Sequence, residues 1–225
     1  MRPLRTIARC FLVFLLCFGL LSWPWPGVQE RYATGFRTVA NFLLPTFGAN
    51  GRCEFEAVEG GRADTAVKLL NARTGYTGGY HMNSRFMGYV PTVLVTSLVL
   101  ATPISWKRRA WALLWGLLAV NVFIVIRVAL AILREFAGLS GQHNLALFTP
   151  GKVSGALLEF AYFVLTLSSP GHVIVPVFIW CLVTFRRKEW EAFLRGAIAD
   201  RRSGATSART EVRGSPPAKK SAVST

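Results

Sequence analysis

Cysteine is scarce, with four in 225 residues. Cys10 and Cys17 lie seven apart on one face of an apolar run, Cys181 lies in another, and only Cys53 sits in a polar region. That placement excludes a disulfide framework. No CxxC or Cys/His spacing offers a metal site, so neither a metal nor another cofactor is expected. Acidic side chains are also few, 11 against 26 Lys and Arg, giving a formal net charge of +15 in a chain that is 52% apolar. A basic soluble nucleic-acid binder rarely combines those values, whereas a membrane protein collects Lys and Arg on loops beside its spans. Here the positive charge is broken into short clusters flanking apolar runs. It reads as a topology signal, so the expected partner is a lipid bilayer and not nucleic acid. There is no internal repeat, and no small-x-small cleavage site directly follows the N-terminal apolar run.

What is present is organised around residues 83–134. Two apolar segments are joined there by the basic turn Ser105-Trp106-Lys107-Arg108-Arg109. A transmembrane hairpin over 86–134 follows, with its turn in the cytoplasm. Before it, residues 1–26 carry Arg2, Arg5 and Arg9, then an apolar run ending in Trp23-Pro24-Trp25-Pro26. Tryptophan favours the membrane interface, so an uncleaved first span is preferred over a signal peptide.

Residues 27–85 form an extracytoplasmic section. Val28, Tyr32, Phe36, Ala40, Leu43, Leu44 and Phe47 recur at helical spacing, as for a helix lying on the membrane surface or packed on a small external domain. From 52 to 84 the period changes to two, with Cys53, Phe55 and Ala57 alternating with Glu54, Glu56 and Val58. Turns over Glu59-Gly60-Gly61-Arg62 and 71–75 then predict a three-stranded antiparallel β-meander, with Gly78-Gly79 weakening its last strand or marking a bulge.

Residues 135–171 form a polar outer loop and an interfacial or re-entrant helix near 153–167. The last span falls at 172–188, and one long kinked helix over 153–185 is the alternative. Residues 189–225 form a basic tail with almost nothing to bury, expected to be disordered. The fold class predicted is mainly α: a polytopic membrane helix bundle of about four spans with a small β-meander. Both termini are cytoplasmic, and the location is a bacterial inner or plasma membrane.

Arg127 is the most informative single residue. It lies eighteen residues after Arg109, ~27 Å along a helix axis, which is close to the ~30 Å hydrocarbon thickness. Two roles suit it: snorkelling to outer headgroups, or facing the bundle interior to bind a carboxylate or developing negative charge. Asn121, about 9 Å below it by the same rise, suits an interhelical hydrogen bond. Glu159 is a candidate partner for Arg127. Among the histidines, His172 sits at the same membrane depth as Arg127, His143 in the outer loop and His81 in the third strand. Asn83 and Ser84 stand just outside the second span, where a hydroxyl nucleophile needs an activating base. Cys53 has no fixed basic neighbour to lower its pKa.

The run Ser105-Trp106-Lys107-Arg108-Arg109, then Asn121, Arg127, and His172 followed by an apolar span and Arg186-Arg187, resembles the exosortases and archaeosortases. These are membrane transpeptidases that process C-terminal sorting signals. The resemblance implies a charge-stabilising arginine at Arg127 and an acid–base histidine at His172, with His143 competing. The family's nucleophilic cysteine has no counterpart: its expected position falls at Asn83-Ser84-Arg85, and the Cys-Ser-Gly pattern is absent. Two functions are therefore expected in order of preference. The first is a non-catalytic accessory that presents the outer sheet to a protein or peptide partner in envelope sorting or assembly. The second is a divergent transpeptidase or peptidase using Arg127 and His172, with Ser84 or Cys53 as nucleophile. A transporter fits less well, since four spans with one internal charge offer little of a pathway.

Overall fold

The computed structural model describes residues 2–58, 63–167 and 171–185. The turn at 59–62, the break at 168–170, the basic cluster Arg186-Arg187-Lys188 and the tail from 189 lie outside the described residues. The chain is mainly helical with a small antiparallel sheet, in the order α1 (Arg2–Ser22), α2 (Val28–Leu43), β1 (Thr46–Phe47), β2 (Gly51–Ala57), β3 (Thr65–Asn71), β4 (Tyr76–Met82), α3 (Val90–Ala101), α4 (Trp106–Phe136), α5 (Lys152–Tyr162) and α6 (Gly171–Thr184). A π-helical turn, Arg85–Tyr89, leads into α3, and a second, Phe163–Leu167, continues α5. A short 3-10 turn, His143–Leu145, lies in the connection after α4.

The sheet has four strands in sequence order, not three. The addition is β1, two residues pairing Thr46 with Arg52 and Phe47 with Gly51, too short to leave a periodic trace. Alternation in β2 and β3 does what a half-buried strand requires. Gly51, Cys53, Phe55, Val67 and Leu69 point inward, while Arg52, Glu54 and Lys68 point out. Gly78 and Gly79 make no bulge: they pair in unbroken register with Leu69 and Lys68. Glycine is needed at 79, where a Cβ would run into the Val67 backbone carbonyl, while at Gly78 a Cβ would meet only the movable end of the Gln142 side chain.

α2 packs on the sheet. Asn41 donates from Nδ2 to the Phe55 carbonyl at 3.0 Å and accepts the Phe55 amide at 2.8 Å, replacing ladder bonds that β2 lacks at that point. Ala33 and Ala40 are buried beneath it, while Val39 and Phe42 remain exposed.

Two apolar cores result, and α4 runs through both. In one, Val95 and Val99 of α3 meet Ala112, Val120, Phe123 and Ile124 of α4 and Ile179 of α6. In the other, Val128, Ile132 and Phe136 of α4 pack under Cys53, Phe55, Val67, Leu69 and Met82 of the sheet. α4 has 31 residues, about 46 Å at 1.5 Å each, against a hydrocarbon thickness of ~30 Å. Its last third is therefore available to a water-side core. Gly138, at φ 69°, takes the left-handed position that closes α4.

α4 is also the one described helix long and apolar enough to cross a membrane alone. α3 ends at Ala101, and the link over 102–105 is not helical. Lys107, Arg108 and Arg109 then fall inside α4's first turn, where the helix dipole disfavours cations. Two of them compensate by donating to free carbonyls: Arg108 to Thr184 at 2.9 Å and Arg109 to Thr102 at 3.0 Å. The helices Lys152–Thr166 and Gly171–Thr184 are bent by 77° about their break.

Candidate functional site

Arg127 sits where the two cores meet, and its side chain is fully buried. The snorkelling alternative is thereby overturned, since no part of the guanidinium reaches the surface. Its helical neighbours explain this: Phe123, Ile124 and Ala131, three or four residues away, all lie on the buried face of α4. The guanidinium carbon stands 5.4 Å from the centre of the Phe123 ring.

Two backbone features supply its partners. Nη1 donates to the Met87 carbonyl at 2.9 Å. In a continuous helix that carbonyl would accept the amide of residue 91, but residue 91 is Pro91, which has no N–H. The proline thus leaves an acceptor open within the π-helical turn, and Arg127 takes it. Nη2 approaches His172, in the first turn of α6, at 2.9 Å from Nδ1 and 3.3 Å from Nε2. A guanidinium has no lone pair to offer, so the imidazole nitrogen must accept and the ring is neutral in this arrangement. The backbone carbonyls of Phe86 and Thr166 also face the ring. Nε of Arg127 has no partner, and no carboxylate reaches Arg127, among the described residues.

The other candidates do not join this pair. Glu159 accepts from Arg134 Nε at 2.8 Å rather than from Arg127. Arg134 precedes the end of α4 and also stacks 4.8 Å from the Tyr162 ring, so it fastens α5 to α4. Asn121 donates to Leu117 of its own helix at 2.7 Å, not to a neighbouring helix. His143 lines a separate cavity of about 530 Å³ with Thr149, Lys152 and Glu159. His81 is exposed on β4.

Ser84 is held by a residue that the sequence pattern did not single out. Its hydroxyl donates to Asp64 Oδ2 at 2.7 Å and its amide to Oδ1 at 2.9 Å. Thr65 also donates to that carboxylate, and Arg37 to the Asp64 backbone carbonyl. Asp64 therefore clamps β3, α2 and the start of the π-helical turn. Asn83 accepts from the Arg85 amide at 2.9 Å, shaping the same turn. The Met87 amide donates to the Asn83 carbonyl at 3.0 Å, and the Met87 carbonyl accepts from Arg127. Cys53 is buried, and burial pushes its thiol up to about 12, far from a nucleophilic thiolate. Among the described residues no group of three His, Cys, Asp or Glu is placed to hold a metal.

One site signal was readable in advance. Met87 and Pro91 stand four apart, and that spacing predicts an orphan carbonyl. Asp64 carries no such mark, since its partners are scattered over 37–84.

A long apolar helix and exposed apolar side chains along α1, α4 and α6 are what a membrane protein presents to lipid. The chain belongs to the family of exosortase H-associated membrane proteins, whose profile matches residues 2–187. No curated protein and no solved structure matches it.

Proposed function

We propose that this chain is a non-catalytic accessory of the exosortase system: a four-span membrane protein that holds its sheet at the extracytoplasmic face for a protein or peptide partner. The carrying observation is the closed state of the Arg127–His172 pair. Both Nη atoms are engaged, the side chain is fully buried, and the two candidate nucleophiles, Ser84 and Cys53, are committed to Asp64 and to the core. An arginine arranged this way ties α4, α6 and the start of α3 together.

The four spans would be α1, the segment from Arg85 through α3, α4 and α6, with both termini cytoplasmic in a bacterial inner membrane. Aromatic placement supports this. Exposed Trp106 and Trp111 mark one end of α4, and exposed Trp23 and Trp25 follow the end of α1, where the Ser22 carbonyl accepts from Arg85. The rise from Trp106 to Arg127 is ~32 Å, one hydrocarbon thickness. α5 would lie at the outer interface, its exposed Val153, Leu157 and Phe160 on lipid.

Purified chain mixed with a peptide bearing a sorting-type C-terminus tests the function. No cleavage is expected, whereas co-purification with the cognate exosortase is. A divergent peptidase remains the second reading because the resemblance-derived pair does meet, at 2.9 Å. Cleavage by the purified chain, lost in Arg127→Ala, would establish that reading instead.

A further inference from the structure

The sheet ends in two unlike edges. β1, on one side, is two residues long, and a strand that short offers little to a neighbour. β4, on the other, is seven residues long, holds no Lys, Asp, Glu or Pro, and keeps unbroken register with β3. None of the usual devices that blunt an edge is built into it. Register shows which of its backbone groups are open. Phe55 turns its amide and carbonyl to Asn41, away from β3. Its partner Val67 therefore bonds towards β4, where it pairs with Tyr80. Alternation along an antiparallel pair then directs the N–H and C=O groups of Thr77, Gly79 and His81 out of the sheet. Thr77 and His81 are exposed. Among the described residues the bond made on that edge is a long one, from Gln142 Nε2 to the Gly79 carbonyl at 3.4 Å.

The charge beside this edge is basic. No acidic residue occurs from 65 to 134 or from 136 to 158. Arg73 stands exposed in the turn that opens β4, and Arg85 follows its end. Carboxylates in the neighbourhood are occupied: Glu56 by Lys68, Asp64 by Ser84, and Glu135 by Ser140. Glu54 lies two strands back, ~10 Å at the usual spacing, with Lys68 as its cross-strand partner.

We propose that the open edge of β4 takes an extended acidic segment of a partner protein as a fifth strand. The inference rests on the accessory reading above and gives that partner its chemistry. The segment's backbone bonds to Thr77, Gly79 and His81 in turn, displacing Gln142, and its carboxylates answer Arg73 and Arg85. Adjoining glycines suit this use, since glycine within a strand marks a place where another backbone comes close. A second copy of the chain is disfavoured, because it brings the same basic edge and like charges facing across a ladder repel.

The probe is a short synthetic peptide alternating Glu with Val. Its controls are a peptide alternating Lys with Val and the Glu/Val peptide N-methylated throughout, which keeps the charge and loses the donors. Fluorescence anisotropy reads binding to the full chain in detergent. The Glu/Val peptide is expected to bind about tenfold more tightly than either control, and to slow hydrogen exchange in residues 76–82. Thr77→Pro removes an outward N–H without touching the ladder to β3, and should weaken binding about tenfold, the upper value for one hydrogen bond. Arg73→Gln should weaken it about threefold. Equal binding of either control, unslowed exchange in 76–82, or unchanged binding by Thr77→Pro overturns the proposal. So does a concentration-dependent dimer that protects 76–82 without peptide. If Thr77→Pro melts abnormally, the N-methylated peptide decides, because it leaves the chain unaltered. The two readings fail separately: a chain that co-purifies with the exosortase but ignores the acidic peptide defeats the edge alone, whereas one that cleaves a sorting-type peptide defeats the accessory reading.

Discussion

Arg127 is a buried cation with hydrogen-bond acceptors on two sides and no carboxylate among the described residues. Truncating it strands the Met87 carbonyl and the His172 nitrogen, at about 1–3 kcal/mol for each buried group left unpaired, and opens a cavity as well. Arg127→Ala is accordingly expected to lower stability by about 3 kcal/mol or more. Arg127→Met, which keeps the volume and removes the buried charge, should lose clearly less. Thermal unfolding in detergent reads both; equal losses would mean that the side chain's bulk contributes nothing and that its hydrogen bonds carry the whole effect. Cys53 gives a second test. Burial holds its thiol protonated up to about 12, while the unfolded chain ionises in the ordinary thiol range near ~8.5. Between those values the unfolded state has lost a proton that the native state keeps, so this group makes stability fall as pH rises. Cys53 should resist alkylation at mildly alkaline pH until the protein unfolds, and mass spectrometry of the alkylated chain checks this. Rapid labelling of the native protein would contradict the burial.

At the scale of elements, Pro91 and Arg127 are joined through one carbonyl. Pro91→Ala supplies the amide that Met87 otherwise lacks, so its effect should depend on whether Arg127 is present. A double-mutant cycle of Pro91→Ala with Arg127→Ala is expected to give a coupling of about 0.5–3 kcal/mol, the range for residues that share a partner. Strict additivity would show that the carbonyl is not shared. This link also marks the limit of what residue patterns convey. The alternation of Cys53 and Phe55 with Arg52 and Glu54 is a property of single residues, and the strands followed from it. The meeting of Arg127 with His172 was legible through a family resemblance and a common depth. Its role was not, because whether an arginine is open or closed depends on carbonyls, and every residue has one. Asn121 found Leu117 because a local partner wins when tertiary ones are out of reach, whereas Glu159 reached across to Arg134 on another helix. The passage of α4 into the sheet core was hidden as well, since the apolar face of a core helix and that of a span share one period.

On the scale of the whole molecule, a long helix couples an all-helical core to a sheet-bearing core, and a buried polar knot stands at the join. A knot of this kind is replaceable by apolar groups of similar shape at a cost limited mainly to the Met87 carbonyl, about 1–3 kcal/mol. A reactive centre is not replaceable at all. The double variant Arg127→Met with His172→Leu separates the two in a cell whose exosortase-dependent substrate processing requires this protein. The variant is expected to accumulate in the membrane, co-purify with the exosortase and sustain processing near the wild-type level. A variant that accumulates and co-purifies normally yet leaves the substrate unprocessed would contradict the accessory role and place Arg127 and His172 in the chemistry.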